Sequence, residues 1–119
     1  SMSETFDTLT QRLGDVLTQR APLHAVYGAF GTFDHTRKVL LSATRNAYRD
    51  TFSASGEKVT EARLDDLAHA DGEYQGFIET ATAQRTQLAL LDAEATLLEH
   101  KLSHLKAQQY QDAQLARLG

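Results

Sequence analysis

The chain has 119 residues, no cysteine and a formal net charge of −4. The length fits one domain with a modest core, and the composition excludes disulfides and thiolate metal sites. No apolar run approaches the roughly 18 residues of a membrane span, so we expect a soluble, cytoplasmic protein that does not bind membranes.

The residue types favour helices over strands. The chain has one Pro, one Ile and four Val, whereas Ala and Leu are its most frequent residues and Gln, Arg and Glu are also common. These residues lose little conformational freedom in a helix, while strands favour β-branched and aromatic residues. We therefore predict an all-α protein: a long helical hairpin with a short N-terminal helix and a long C-terminal heptad-bearing helix, assembled as an oligomeric bundle or ring.

The first half of the chain predicts two helices in a single domain that covers residues 1–119. Ser3 is a suitable cap for a helix over residues 3–21, whose apolar residues recur at spacings of three and four. Pro22 disfavours a helical Ala21, so the second helix is predicted over residues 22–53. Glycines in "YGAFGTF" leave open a break of this helix near residues 31–34.

The second half predicts a turn over residues 54–59 and a short helix over residues 60–70, which Thr60 can cap. A long helix over residues 72–117 follows, with Asp71 as its cap. Its apolar residues follow alternating steps of three and four, as in a heptad seam. A rod of roughly 68 Å is too long to be covered by the second helix alone, so we predict self-association, with the first helix or other subunits covering the remainder. The predicted oligomerisation residues are Leu88, Leu91, Leu98, Leu102 and Leu105.

Two groups of side chains have the spacing of metal ligands. His100 and His104 are four residues apart beside Glu99, but no third ligand is indicated, and solvated surface histidines are the favoured interpretation. Glu61, Asp65 and Asp66 resemble a magnesium cluster, although helix N-terminal charges explain them better. Phosphate-binding and nucleophile motifs are lacking, so we expect neither an enzyme nor a cofactor.

Basic residues are concentrated in the middle of an acidic chain. Residues 35–63 contain six basic and three acidic residues, a net charge of +3, whereas the rest of the chain carries −7. A basic stripe that ends in a Ser/Gly turn beside an aromatic residue is typical of phosphate-backbone binding, and a charged solvent face is the alternative. Several copies of the stripe on one assembly would strengthen a weak site. The predicted nucleic-acid-binding residues are Lys38, Arg45, Tyr48, Arg49, Lys58 and Arg63.

The same window resembles part of a known protein family. The run "VLLSATRNAYRDTFSASGEKVTEA" and the downstream "DLAHADGEYQGF" resemble, in helix order and length, phage UvsY-type recombination mediators. The resemblance implies a helical ring that binds single-stranded DNA and loads a recombinase onto strands coated by a single-strand-binding protein. It implies DNA contacts by Arg45, Arg49 and Lys58, although Glu57 makes this turn less basic than the family pattern.

Two classes of function follow from these observations. The first is a single-stranded DNA-binding recombination accessory protein. The second is a structural or adaptor oligomer, such as a phage or bacterial scaffold, whose long helix binds a protein partner.

Overall fold

A computed structural model describes residues 5–118, and within this range the chain forms helices and no strand. The helices are α1 (Phe6–Tyr27), α2 (Phe33–Ala54), α3 (Glu61–Ala70) and α4 (Gly72–Leu118). The all-α prediction is confirmed. No helix in the described part of the chain has the length and apolar character needed to cross a membrane.

The chain divides into two compact units, and the first contains residues 5–24 and 87–118. In this unit α1 runs antiparallel to the later part of α4: Lys106 lies over the ring of Phe6, and Arg20 pairs with Asp92 at 3.1 Å. Apolar side chains of the two helices form its core because their three- and four-residue spacing keeps them on facing stripes. The buried members are Leu9, Val16, Leu91, Ala95 and Leu98.

The prediction that the first helix ends before Pro22 is wrong. Pro22 lies inside α1, on the exposed side, and the helix continues to Tyr27. A proline inside a helix costs about 3 kcal/mol because it lacks the N–H and crowds the preceding turn. Packing beyond the proline offsets this cost, since Leu23 contacts the core of the first unit. Ser3, the predicted cap, lies outside the described residues, and Thr5 accepts a hydrogen bond from the backbone N–H of Thr8 at 3.1 Å.

The break between α1 and α2 falls at residues 28–32, close to the alternative break predicted near residues 31–34. The backbone N–H of Gly31 donates to the carbonyl of Gly28 at 2.9 Å, and that of Thr32 donates to the carbonyl of Ala25 at 3.2 Å. A Cβ atom on Gly31 would lie 2.2 Å from the carbonyl oxygen of Val26. Only glycine therefore fits at position 31. We call this turn, residues 28–32, the Phe30 corner.

The second unit contains residues 25–86, in which α2 packs against α3 and the first part of α4. Leu41, Ala68 and Tyr74 form its buried cluster. Next to the Phe30 corner, the rings of Tyr27 and Phe77 each lie 5.5 Å from the ring of Phe33. The guanidinium of Arg85 covers Phe33 at 4.3 Å from the ring centroid.

Local chemistry fixes the ends of α2, α3 and α4. Gly56 adopts φ +75°, and the N–H groups of Gly56 and Glu57 donate to Ser53 and Phe52, a Schellman motif that ends α2. Thr60 accepts a hydrogen bond from the N–H of Arg63 at 3.1 Å and caps α3 as predicted. Asp71, the predicted cap of α4, accepts from the N–H groups of Glu73 and Tyr74 at 3.1 and 3.3 Å.

Candidate functional site

Two arginines of the predicted nucleic-acid stripe hold α2 to α3. Arg45 forms an ion pair with Asp65, and Arg49 donates to both carboxylate oxygens of Glu61 at 3.1 and 2.9 Å. Antiparallel packing of the two helices brings these partners together although they are 20 and 12 residues apart in sequence. Each arginine is half-buried. Their charge is therefore balanced within the unit before any phosphate arrives.

Lys38, at the beginning of the stripe, is also paired. Its ammonium lies 3.0 Å from Asp34, and the same carboxylate accepts a hydrogen bond from Arg37 at 3.0 Å. These contacts lower the pKa of Asp34, chiefly through the hydrogen bond with Lys38. One carboxylate balances only one of the two cations, so a net positive charge remains at this turn of α2.

Tyr48 has a structural partner. Its hydroxyl donates a hydrogen bond to Oδ1 of Asp71 at 2.9 Å, and this bond raises the pKa of Tyr48. The ring is half-buried and lines an open groove of about 410 Å³ in the second unit. Leu40, Ala43 and Ala47 supply the apolar part of this groove, which we call the α2 groove. Asp71 and Glu73 add two carboxylates to its lining, which disfavours a phosphate there.

Lys58 and Arg63 differ from the other cations of the stripe. Both are exposed, and none of the ion pairs found among residues 5–118 involves either of them. They flank the Gly56 turn on its C-terminal side. The structure thus separates the predicted stripe into three cations with acidic partners and two that take part in none of the described ion pairs.

The predicted oligomerisation leucines lie inside the chain's own fold. Leu91 and Leu98 are core residues of the first unit, and Leu102 and Leu105 pack against that core. Leu88 is buried as well. The seam is covered by α1, one of the two covers that the sequence leaves open, since Leu9 and Val16 lie in the same core as Leu91 and Leu98. These five residues are therefore unsuited as a free contact surface for another copy.

Other apolar residues of α4 remain at the surface. The large exposed ones are Leu90, Leu97, Tyr110, Leu115 and Leu118. Leu90 and Leu97 are seven residues apart, a spacing that places them on one side of the helix. This period is the same as that of the buried Leu91 and Leu98, so only the position of α1 distinguishes the two faces.

The residues with metal-ligand spacing do not form a metal site. Within residues 5–118 no three His, Cys, Asp or Glu side chains lie close enough together to hold a metal ion. His100 and His104 are exposed beside Leu105 on α4. Asp65 and Glu61 are engaged by arginines, as described above. The interpretation as surface histidines fits His100 and His104, and that of a helix N-terminal charge fits Glu61, whereas Asp65 and Asp66 lie in the second turn of α3.

Comparison of the chain with protein-family models, curated proteins and solved structures finds no match. The resemblance to recombination mediators therefore stays a prediction.

Proposed function

We propose that the protein is a non-enzymatic structural or adaptor protein that self-associates and binds a protein partner through the C-terminal part of α4. The observation that carries this proposal is the surface of residues 106–118, which we call the α4 tail. Every residue of the tail is exposed, although it contains Tyr110, Leu115 and Leu118.

The energetics of the tail favour a partner. All 13 residues of the tail are exposed, and an isolated helix of this length is marginal in water even with good helix formers. Burial of a leucine side chain contributes about 1.5–3 kcal/mol, so contact with another apolar surface would stabilise both the helix and the complex. Amphipathic helices commonly bind protein grooves in this way.

Light scattering of the whole chain tests the proposal. We expect a mass above the 13.2 kDa of one chain at micromolar concentration. Leu115→Glu combined with Leu118→Glu should reduce the mass to that of a single chain, because an interface cannot bury unpaired carboxylates. Gln109→Glu combined with Ala116→Glu adds the same charge on the side of the helix away from Tyr110, Leu115 and Leu118 and should leave the assembly intact. A single-chain mass for the unmodified protein would refute self-association.

Single-stranded nucleic acid is the second candidate ligand, because Lys58 and Arg63 are exposed cations on one side of a turn. Fewer residues are available to contact nucleic acid than the sequence indicates, since Arg45, Arg49 and Lys38 have acidic partners. Recombinase loading, which the resemblance implies, depends on this candidate. Salt-dependent binding of a fluorescent oligonucleotide tests it.

A further inference from the structure

The Phe30 corner presents a phenyl ring to solvent. The side chain of Phe30 is fully exposed, and its neighbours Ala29 and Val26 are exposed too. The corner is not a loose loop, because its two backbone hydrogen bonds and the close approach at Gly31 fix its path. The adjoining ring of Phe33 is buried against Tyr27 and Phe77. A rigid support that projects one aromatic ring is typical of an anchor residue at a protein interface.

The α2 groove has the dimensions and chemistry to receive this ring. Its volume of about 410 Å³ exceeds the roughly 150 Å³ of a cavity that holds benzene. Leu40, Ala43 and Ala47 supply apolar surface, and the small alanines leave room for a flat ring.

Charge on the two surfaces is complementary. Asp71 and Glu73 place carboxylates at the groove. The first turns of α2, which follow the Phe30 corner, keep a net positive charge because Asp34 balances only one of Arg37 and Lys38. Opposite charges on two surfaces favour their correct orientation when they meet.

We propose that the Phe30 corner of one copy inserts into the α2 groove of a second copy of this chain. Both surfaces belong to the second unit, and each copy carries one of each. The contact is heterologous, because the corner meets the groove and not another corner. Such a contact extends from copy to copy and closes only if the rotation between copies allows a ring.

The inference deepens the proposed function and rests on it in one respect. A stable interface buries about 1,600 Å², far more than one phenyl ring and its neighbours supply. The contact therefore acts together with association through the α4 tail, which raises the local concentration of corners and grooves.

Disulfide trapping tests the contact, because the chain has no cysteine of its own. One preparation carries Ala29→Cys and the other carries Ala43→Cys, and the two are mixed under mild oxidation. A disulfide requires Cα atoms within about 7 Å, so only close contact gives the mixed product. We expect this product to form about tenfold faster than with Ala62→Cys, an exposed position on α3, in place of Ala43→Cys.

Two further variants confine the result to the proposed surfaces. Phe30→Ala in the Ala29→Cys copy removes the ring, and Ala47→Leu in the Ala43→Cys copy fills the groove. Each should slow trapping by about tenfold. Circular dichroism should show unchanged helix content, because the altered positions are exposed. Equal trapping at Ala43→Cys and Ala62→Cys, or no effect of Phe30→Ala, would overturn the contact. Faster pairing of Ala29→Cys copies with each other would show that the corner meets itself.

Light scattering on the same samples separates the two proposals. An assembled protein without the mixed disulfide would overturn the corner contact and leave association through the α4 tail standing. A single-chain mass would instead refute self-association itself.

Discussion

The hydroxyl of Tyr48 on α2 donates a hydrogen bond of 2.9 Å to Asp71, the residue that ends α3 and caps α4. One side chain thus connects three helices of the second unit. We expect Tyr48→Phe, which removes only the hydroxyl, to lower the midpoint of thermal unfolding by a few degrees while the helix content stays the same. Tyr110→Phe, at an exposed tyrosine of the α4 tail, is the matched control.

The same contact predicts a dependence of stability on pH. The hydrogen bond to Asp71 raises the pKa of Tyr48 in the folded protein above its usual value of about 10. The contribution of this hydrogen bond to the free energy of unfolding is therefore complete below about pH 10. It is lost as the pH rises through the higher pKa that Tyr48 has in the folded protein. Denaturant unfolding of the parent and of Tyr48→Phe should differ at pH 8 and converge above the folded pKa. A difference that persists at high pH would contradict this assignment.

The ion pair between Arg45 and Asp65 predicts an energetic coupling between α2 and α3. A double-mutant cycle with Arg45→Ala and Asp65→Ala should give about 0.2–1 kcal/mol, the range of partly exposed pairs. Raising the salt concentration should reduce this coupling. Arg63→Ala with Asp65→Ala serves as the control cycle, since Arg63 takes part in none of the described ion pairs. Zero coupling between Arg45 and Asp65 at low salt would show that Asp65 does not hold this arginine, which would then be available to a ligand.

Adjacent leucines of α4 predict opposite outcomes. Leu98 is 3% exposed in the core of the first unit, whereas Leu97 is 54% exposed. Leu98→Ala should reduce the free energy of unfolding by about 2–5 kcal/mol because it leaves a cavity. Leu97→Ala should change it by no more than about 0.5 kcal/mol. Chemical denaturation of both variants measures the difference, and equal losses would show that α1 does not cover this seam.

Oligonucleotide binding discriminates between the cations of the basic window. If single-stranded DNA is a ligand, binding of a fluorescent oligonucleotide should weaken as salt rises. Replacement of Lys58 and Arg63 by Ala should reduce the slope of this dependence by about 0.7 per cation removed. Lys101→Ala combined with Lys106→Ala, on α4, is the control. Affinity that is absent at low salt, or independent of salt, removes nucleic acid from the candidates.

The sequence predicted the parts of the fold that depend on local chemistry. Gly56 ends α2 because its φ of +75° suits glycine, and Thr60 and Asp71 cap helices because their oxygens reach nearby N–H groups. The bounds of α3 and α4 agree with the prediction within one residue for the same reason.

Features that depend on packing between distant segments were not predictable. Pro22 locally favours the end of a helix, and only the contacts made by Leu23 reveal why the helix continues through it. The partners of Arg45 and Arg49 depend on the antiparallel register of α2 and α3, which no sequence spacing shows. The leucine period of α4 likewise indicates a buried face, but it leaves open whether the first helix or another subunit covers that face, and only the packing of α1 decides it.

The close approach at Gly31 determines how this chain can vary. In a library of all single substitutions, position 31 should lose every residue except glycine among folded members, because any Cβ atom meets the carbonyl of Val26. Gly14 and Gly76 lie within helices with open space around them, so alanine should be enriched there, with a gain of about 1 kcal/mol each. Gly31 would thus tolerate no substitution, whereas Gly14 and Gly76 would accept alanine. The fixed position is the one that separates α1 from α2.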